Sequence, residues 1–149
     1  SYGDKMEIPT VEYLVPIGKA RVVQEGKSLT IISHSRMVNV CFEAVKELAK
    51  KGIQAELVDL RTVKPLDIAA VAASIKKTNR AVLVEEGHIF AGIAAEVAFQ
   101  IMEHCFDYLD APMVRVCQRE TPMPYSKVLE HESLPTVPRI LKAALKTLQ

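Results

Sequence analysis

Two short segments carry side chains suited to chemistry: His34-Ser35-Arg36 and Glu85-Glu86-Gly87-His88. A serine and an arginine at the start of a helix suit an anion, because the first backbone N–H groups there are free and the dipole is positive. Glu85, Glu86 and His88 would then face that anion as a carboxylate and an imidazole, the makings of a small-ligand site. A plainer assignment meets the same charges without a ligand. Arg36 pairs with Glu85 or Glu86, Ser35 caps its helix, and His34 packs in a turn. The plainer assignment is the preferred one.

Other catalytic signatures are missing. The chain has no G-x-G-x-x-G, no G-x-x-x-x-G-K-[ST] and no G-x-S-x-G, so dinucleotide, triphosphate and nucleophile-elbow motifs are unsupported. His34, His88, His104 and His131 are not spaced as metal ligands. His104 stands at a helix end, where a charged imidazole suits the dipole. Lys50-Lys51 and Lys76-Lys77 read as solvated helix ends. Cys41, Cys105 and Cys117 are odd in number and never at CxxC spacing. Each lies in an apolar pattern, which fits buried, reduced thiols.

The elements that position these residues follow from periodicity. Residues 20–24, 29–33, 55–60, 81–85 and 113–117 are short β-branched or apolar runs, expected as strands. Between them lie helical stretches. The first runs from Ser35 to about Lys51, with Val38, Cys41, Val45, Leu48 and Ala49 inward and Gly52 ending it. Asp67 caps the second, which carries Ile68, Val71 and Ile75 on one face. The third runs from about Gly92 to Cys105 and turns Ile93, Val97, Ile101 and Met102 inward. A closing helix buries Ile140, Leu141, Ala144, Leu145 and Leu148. Alternating strands and helices imply a parallel sheet covered on both faces, with right-handed crossovers. The first strand has no helix after it and is expected antiparallel at an edge. In such a sheet, ligands sit beyond the carboxyl ends of the strands, where both charged segments fall.

Bulk properties fit one domain of 149 residues. A net charge of +1 gives no strong pull toward nucleic acid or an anionic membrane. No apolar run approaches a membrane span. Residues 1–12 mix Gly, Pro and charge without periodicity and begin Ser1-Tyr2-Gly3-Asp4. They read as a linker from a missing N-terminal domain, with the domain proper over 13–149.

A set of motifs, taken in order, carries a resemblance. They are Leu14-Val15-Pro16-Ile17-Gly18, Ser33-His34-Ser35-Arg36, Leu60-Arg61-Thr62 with Pro65-Leu66-Asp67, and Val84-Glu85-Glu86-Gly87. Leu109-Asp110-Ala111-Pro112 and Pro122-Met123-Pro124-Tyr125 with Leu129-Glu130 complete it. Over nearly the whole chain they resemble the C-terminal half of pyruvate dehydrogenase beta subunits, which have a transketolase C-terminal-domain-like fold. The branched-chain 2-oxo acid dehydrogenase beta subunit is the nearest rival, with the acetoin dehydrogenase beta subunit a further alternative. One departure stands out: Val116-Cys117-Gln118-Arg119-Glu120 replaces the family's Val-Thr-Gly-x-Asp.

The resemblance implies a three-layer α/β/α fold with a five-stranded, mostly parallel sheet, order 1-3-2-4-5, strand 1 antiparallel. It implies a complete enzyme that uses thiamine diphosphate and magnesium to decarboxylate pyruvate oxidatively and pass the acetyl group to lipoamide. Neither cofactor is expected on this domain, and no residue here is expected to be catalytic. The expected partners are a second beta subunit, an alpha subunit and the basic subunit-binding domain of the dihydrolipoyl acyltransferase. Asp110 and the terminal carboxylate at Gln149 are the implied counter-charges. Taken alone, Asp110 reads as a capping aspartate ahead of Pro112. The expected compartment is bacterial cytosol or an organelle matrix. The alternative function class is a stand-alone small-ligand-binding α/β domain using the switch-point pocket.

Overall fold

The computed structural model describes residues 14–120 and 133–149. The expected linker at 1–12, the Pro122–Tyr125 and Leu129-Glu130 motifs, and His131 lie outside the described residues. Five strands form the sheet: β1 (Arg21–Gln24), β2 (Leu29–Ser33), β3 (Ala55–Asp59), β4 (Ala81–His88) and β5 (Val114–Gln118). Their order is β1-β3-β2-β4-β5, as the resemblance implied. β1 pairs antiparallel with β3 at one edge, and the remaining pairs are parallel. The helices are α1 (Met37–Lys50), α2 (Ile68–Thr78), α3 (Ile93–Cys105) and α4 (Val137–Thr147), with a short 3-10 turn at Phe106–Tyr108.

Side chains alternate across the strands, so each strand feeds two cores. Leu29, Ile31, Leu57, Val82 and Val116 meet Cys41, Leu48 and Ile140 from α1 and α4. Ile32, Val58, Leu83 and Cys117 meet Val71, Ile75, Val97 and Ile101 from α2 and α3. This is why the central strands read as continuous apolar runs. Thr30 is a buried polar residue in the middle of β2. Its hydroxyl is satisfied within α2 by Ser74 at 2.7 Å and Thr78 at 2.6 Å.

Local signals decide several boundaries. Asp67 caps α2 by accepting from the Ala70 amide at 3.2 Å, and its other oxygen takes the Ala20 amide at 3.1 Å. Gly52 follows α1 at φ 76°, the left-handed conformation expected of it. Ser35, by contrast, does not cap α1. Its backbone is left-handed (φ 55°), and the N-cap falls on Arg36, whose side chain makes no capping bond. A capping serine needs an extended backbone to swing its hydroxyl over the first N–H groups.

Helix rotation corrects four core expectations. In α3 the buried line is Ala94, Val97, Ile101 and Cys105, while Ile93 and Met102 face outward. In α4 Leu145 is exposed, and in α1 so is Ala49.

Candidate functional site

The carboxyl ends of β2 and β4 meet as neighbours, bringing both charged segments to one end of the sheet. Ser33 Oγ donates to the Val84 carbonyl at 2.9 Å and ties the strands together there. Arg36 Nη2 bonds Glu86 Oε2 at 2.8 Å. Both side chains are partly exposed, so the pair contributes at most about 1 kcal/mol. It does neutralise the arginine that an anion would otherwise use. His88 is exposed at the strand end, and Ser35 is exposed beside Arg36.

Glu85 is buried, 2% exposed. Its carboxylate is seated by two glycines and a thiol. A side chain at Gly92 would run into Glu85 Oε1, and one at Gly87 would lie 3.5 Å from Oε2. Cys117 Sγ–H donates to Oε1 at 3.7 Å. Burial pushes the Cys117 thiol up to about 11, and the Glu85 charge adds to that. The thiol therefore remains a protonated donor at neutral pH rather than a nucleophile.

His34 Nε2 and Gln118 Nε2 are buried and have no hydrogen-bond partner among the described residues. His34, Ser33, Glu85 and Ala94 line a void of about 10 Å³. That is room for about one water, against the roughly 300–1,000 Å³ of ordinary small-molecule sites. A wider groove, about 710 Å³, has Arg36 at its edge and runs between Met37 and Val40 of α1 and Leu134 to Pro138 ahead of and within α4.

Asp110 and Gln149 belong to the opposite end of the sheet. Arg80, just ahead of β4, links Asp110 to Thr147 at the end of α4: Nη1 lies 3.6 Å from Asp110 Oδ2, and Nε donates to the Thr147 carbonyl at 2.8 Å. The chain end at Gln149 follows two positions later. Asp110 is not a cap. Its amide donates to the Asn79 carbonyl at 2.9 Å, and its side chain turns to Arg80.

Sequence reasoning missed four contributors: Arg80, Cys117 as the partner of Glu85, Gly92 as its seat, and Lys77. Lys77 is not merely a solvated helix end. Its ammonium bonds Glu25 at 2.7 Å and also Glu56, which is 1% exposed. Cys117 carried a signal as a departure from the family pattern, and Gly92 as the expected start of the third helix; neither pointed to Glu85. His104 does stand at its helix end as expected, Nδ1 meeting the Gln100 carbonyl at 2.8 Å. All three cysteines are buried and unpaired.

A family model for the transketolase C-terminal domain matches residues 18–140. The chain belongs to that family. Its relatives include the mitochondrial pyruvate dehydrogenase E1 component subunit beta of Dictyostelium discoideum, 50% identical over 138 residues, covering 93% of this chain and 39% of that protein. The subunit of the same name from Rattus norvegicus is 46% identical, and that from Homo sapiens 43%. Each alignment covers 99% of this chain and 42% of the relative. The chain thus spans about two fifths of the length of these relatives. Among solved structures, a split-gene transketolase described as an inactive beta4 tetramer superposes with a TM-score of 0.80. It is 26% identical, over 97% of this chain and 45% of that one. A 2-oxoglutarate:ferredoxin oxidoreductase from Magnetococcus marinus shares the fold at a TM-score of 0.59 and 14% identity, over 88% of this chain and 19% of that one.

Family membership raises thiamine diphosphate and magnesium, and the described residues do not fit them. No three His, Cys, Asp or Glu side chains among them gather as metal ligands. The void at the switch point is far below the size of such a cofactor. No helix among the described residues is long and apolar enough to cross a membrane.

Proposed function

We propose that this chain is the assembly domain of the beta subunit of a pyruvate dehydrogenase decarboxylating component, acting in a mitochondrial matrix. The observation that carries this is the 43–50% identity to pyruvate dehydrogenase beta subunits across nearly the whole chain. In the complete enzyme, thiamine diphosphate and magnesium supply the decarboxylation chemistry from other domains, and no step runs through this one. Its work is to hold a second beta subunit and an alpha subunit, and to receive the subunit-binding domain of the dihydrolipoyl acyltransferase.

The geometry supports docking at the amino end of the sheet. Arg80 gathers Asp110 and the end of α4 into one exposed neighbourhood. The Asp110 carboxylate there offers a basic partner long-range attraction. At the other end, Arg36 and Glu86 satisfy each other and Glu85 is sealed, which disfavours the alternative of a small-ligand domain at the switch point.

Calorimetric titration of the chain with the acyltransferase subunit-binding domain tests this, repeated at raised salt. Binding that weakens with salt is the expected result. No binding by the complete beta subunit would overturn the docking role. Cofactor-dependent release of carbon dioxide from pyruvate by this chain alone would overturn the assembly reading.

A further inference from the structure

His34, Glu85 and Cys117 form a row across the carboxyl ends of β2, β4 and β5. Ser33 pairs with Val84 and Val84 with Val116, so each of the three follows a paired rung by one position. Cys117 belongs to the core on the α3 side of the sheet, with Ile32 and Leu83. His34 and Glu85 line a void on that same side, walled by Ile32, Leu83, Ala94 and Val97.

Protein groups close one of the two gaps in this row. Cys117 Sγ donates to Glu85 Oε1 at 3.7 Å. On the other side, His34 Nε2 is buried and meets no hydrogen-bonding group among the described residues. No ion pair among them includes Glu85, although its side chain is 2% exposed. A buried carboxylate and a buried imidazole nitrogen are both costly without partners. Native proteins satisfy such groups with protein atoms or with ordered water.

The void between them has a volume of about 10 Å³, the lower edge of the roughly 10–15 Å³ that one water needs. Cavities that stay dry are apolar, whereas this one has two polar side chains in its wall. A metal fits less well. Histidine, glutamate and cysteine are all metal-ligand types, but no three such groups gather among the described residues. The Cys117 thiol, pushed up to about 11 by burial, also keeps its proton.

We propose that one internal water sits between His34 Nε2 and the Glu85 carboxylate and binds both. It donates a hydrogen to the carboxylate, and its oxygen accepts from His34 Nε2–H. A hydrogen-bond chain then runs from imidazole to water to carboxylate to thiol, across three strands. It fastens their ends beneath the start of α3, where Gly92 already seats Glu85. The place of this water does not depend on which partner the chain docks.

A crystal structure of the chain at a resolution that shows ordered water tests this. Density is expected within about 2.7–3.2 Å of both His34 Nε2 and a Glu85 oxygen. His34→Gln, whose amide reaches about as far as Nε2, should keep that water, and His34→Leu should lose it. In solution, magnetic relaxation dispersion of the water oxygen counts long-lived internal waters. His34→Leu and Ala94→Val, which fills the void, should each show one fewer than the parent. No density between the two groups, density touching only one of them, or a direct His34–Glu85 hydrogen bond overturns the proposal. Contacts of about 2.0–2.6 Å, the range of bound cations, overturn it in favour of an ion. An unchanged count of long-lived waters in both variants overturns it as well. The parent crystal decides the matter even where a variant fails to fold.

Discussion

Glu85 occupies the space that a side chain at Gly92 would need, so the start of α3 and the buried carboxylate of β4 are built as one unit. Gly92 has an ordinary extended backbone (φ −75°, ψ 164°). Its role is therefore close approach rather than conformational freedom. The register of β4 against β5 shifts between Val84 and His88, next to this seat.

Gly92→Ala is expected to destabilise the chain by about 1–3 kcal/mol, the usual cost of forcing atoms into a packed site. Denaturant unfolding reads this as a lowered midpoint. Adding Glu85→Ala should recover part of the loss, since it removes the collision with the carboxylate and leaves the one with the His88 carbonyl. Strictly additive losses would show that the contact is relieved elsewhere.

The Lys77 ammonium joins the buried Glu56 to the surface Glu25, so Lys77→Met should cost about 1.5–3 kcal/mol, the range for hydrogen bonds to charged groups. Glu56 would retain the Gly26 amide at 3.1 Å but lose its counter-charge. The hydrogen bond from Lys77 holds the Glu25 carboxyl below its ordinary 4.5, and those from Glu25 and then Glu56 hold Lys77 above its ordinary 10.5. Each sign follows from linkage. The Glu25 contribution is complete above 4.5 and is lost as pH falls through its lowered value. The Lys77 contribution is complete below 10.5 and is lost as pH rises through its raised value. Unfolding midpoints measured across pH should show both limbs in the parent chain and neither from this cluster in Lys77→Met.

Burial pushes the Cys41 thiol up to about 12, and burial with the Glu85 charge pushes Cys117 up to about 11. Both should resist a disulfide-exchange reagent at pH 8 and react only on unfolding. Thiol release in native buffer, set against release in denaturant, checks this. Because both groups are raised, the stability they confer is full below 9.0 and is lost as pH climbs through the folded values.

Asp110→Ala, placed in a complete beta subunit, should weaken docking of the acyltransferase subunit-binding domain while leaving pyruvate decarboxylation unchanged. The salt dependence of binding should flatten with it, because a long-range charge is gone. Titration calorimetry at two salt concentrations reads both effects. Unchanged docking would remove Asp110 from the surface.

Much of the fold was written locally. Asp67 at its cap and Gly52 past α1 act within a few residues of themselves, so their types were enough to place helix ends. The continuous runs 29–33 and 81–85 announced strands buried on both faces. The pairing of Arg36 with a carboxylate near the end of β4 was also legible, because strand ends carrying opposite charges meet at a switch point. The sheet order came with the family resemblance, since alternation of strands and helices alone permits several orders.

What the tertiary structure decided is a matter of rotation and of distance along the chain. Periodicity fixes the angle between side chains on one helix but not how the helix is turned against the sheet. Met102 and Ile101 are adjacent, and only packing against β4 and α2 sent Ile101 inward and left Met102 at the surface, as it did Phe99. Ser35 had the right type for a cap, yet the turn out of β2 set its backbone left-handed and removed that role. Arg80 with Asp110, Lys77 with Glu56, and Glu85 with Gly92 and Cys117 each join separate elements. Residue type determined that these charges would need partners, because a buried charge without one is costly. Which partner each received depended on the crossovers that bring remote segments together.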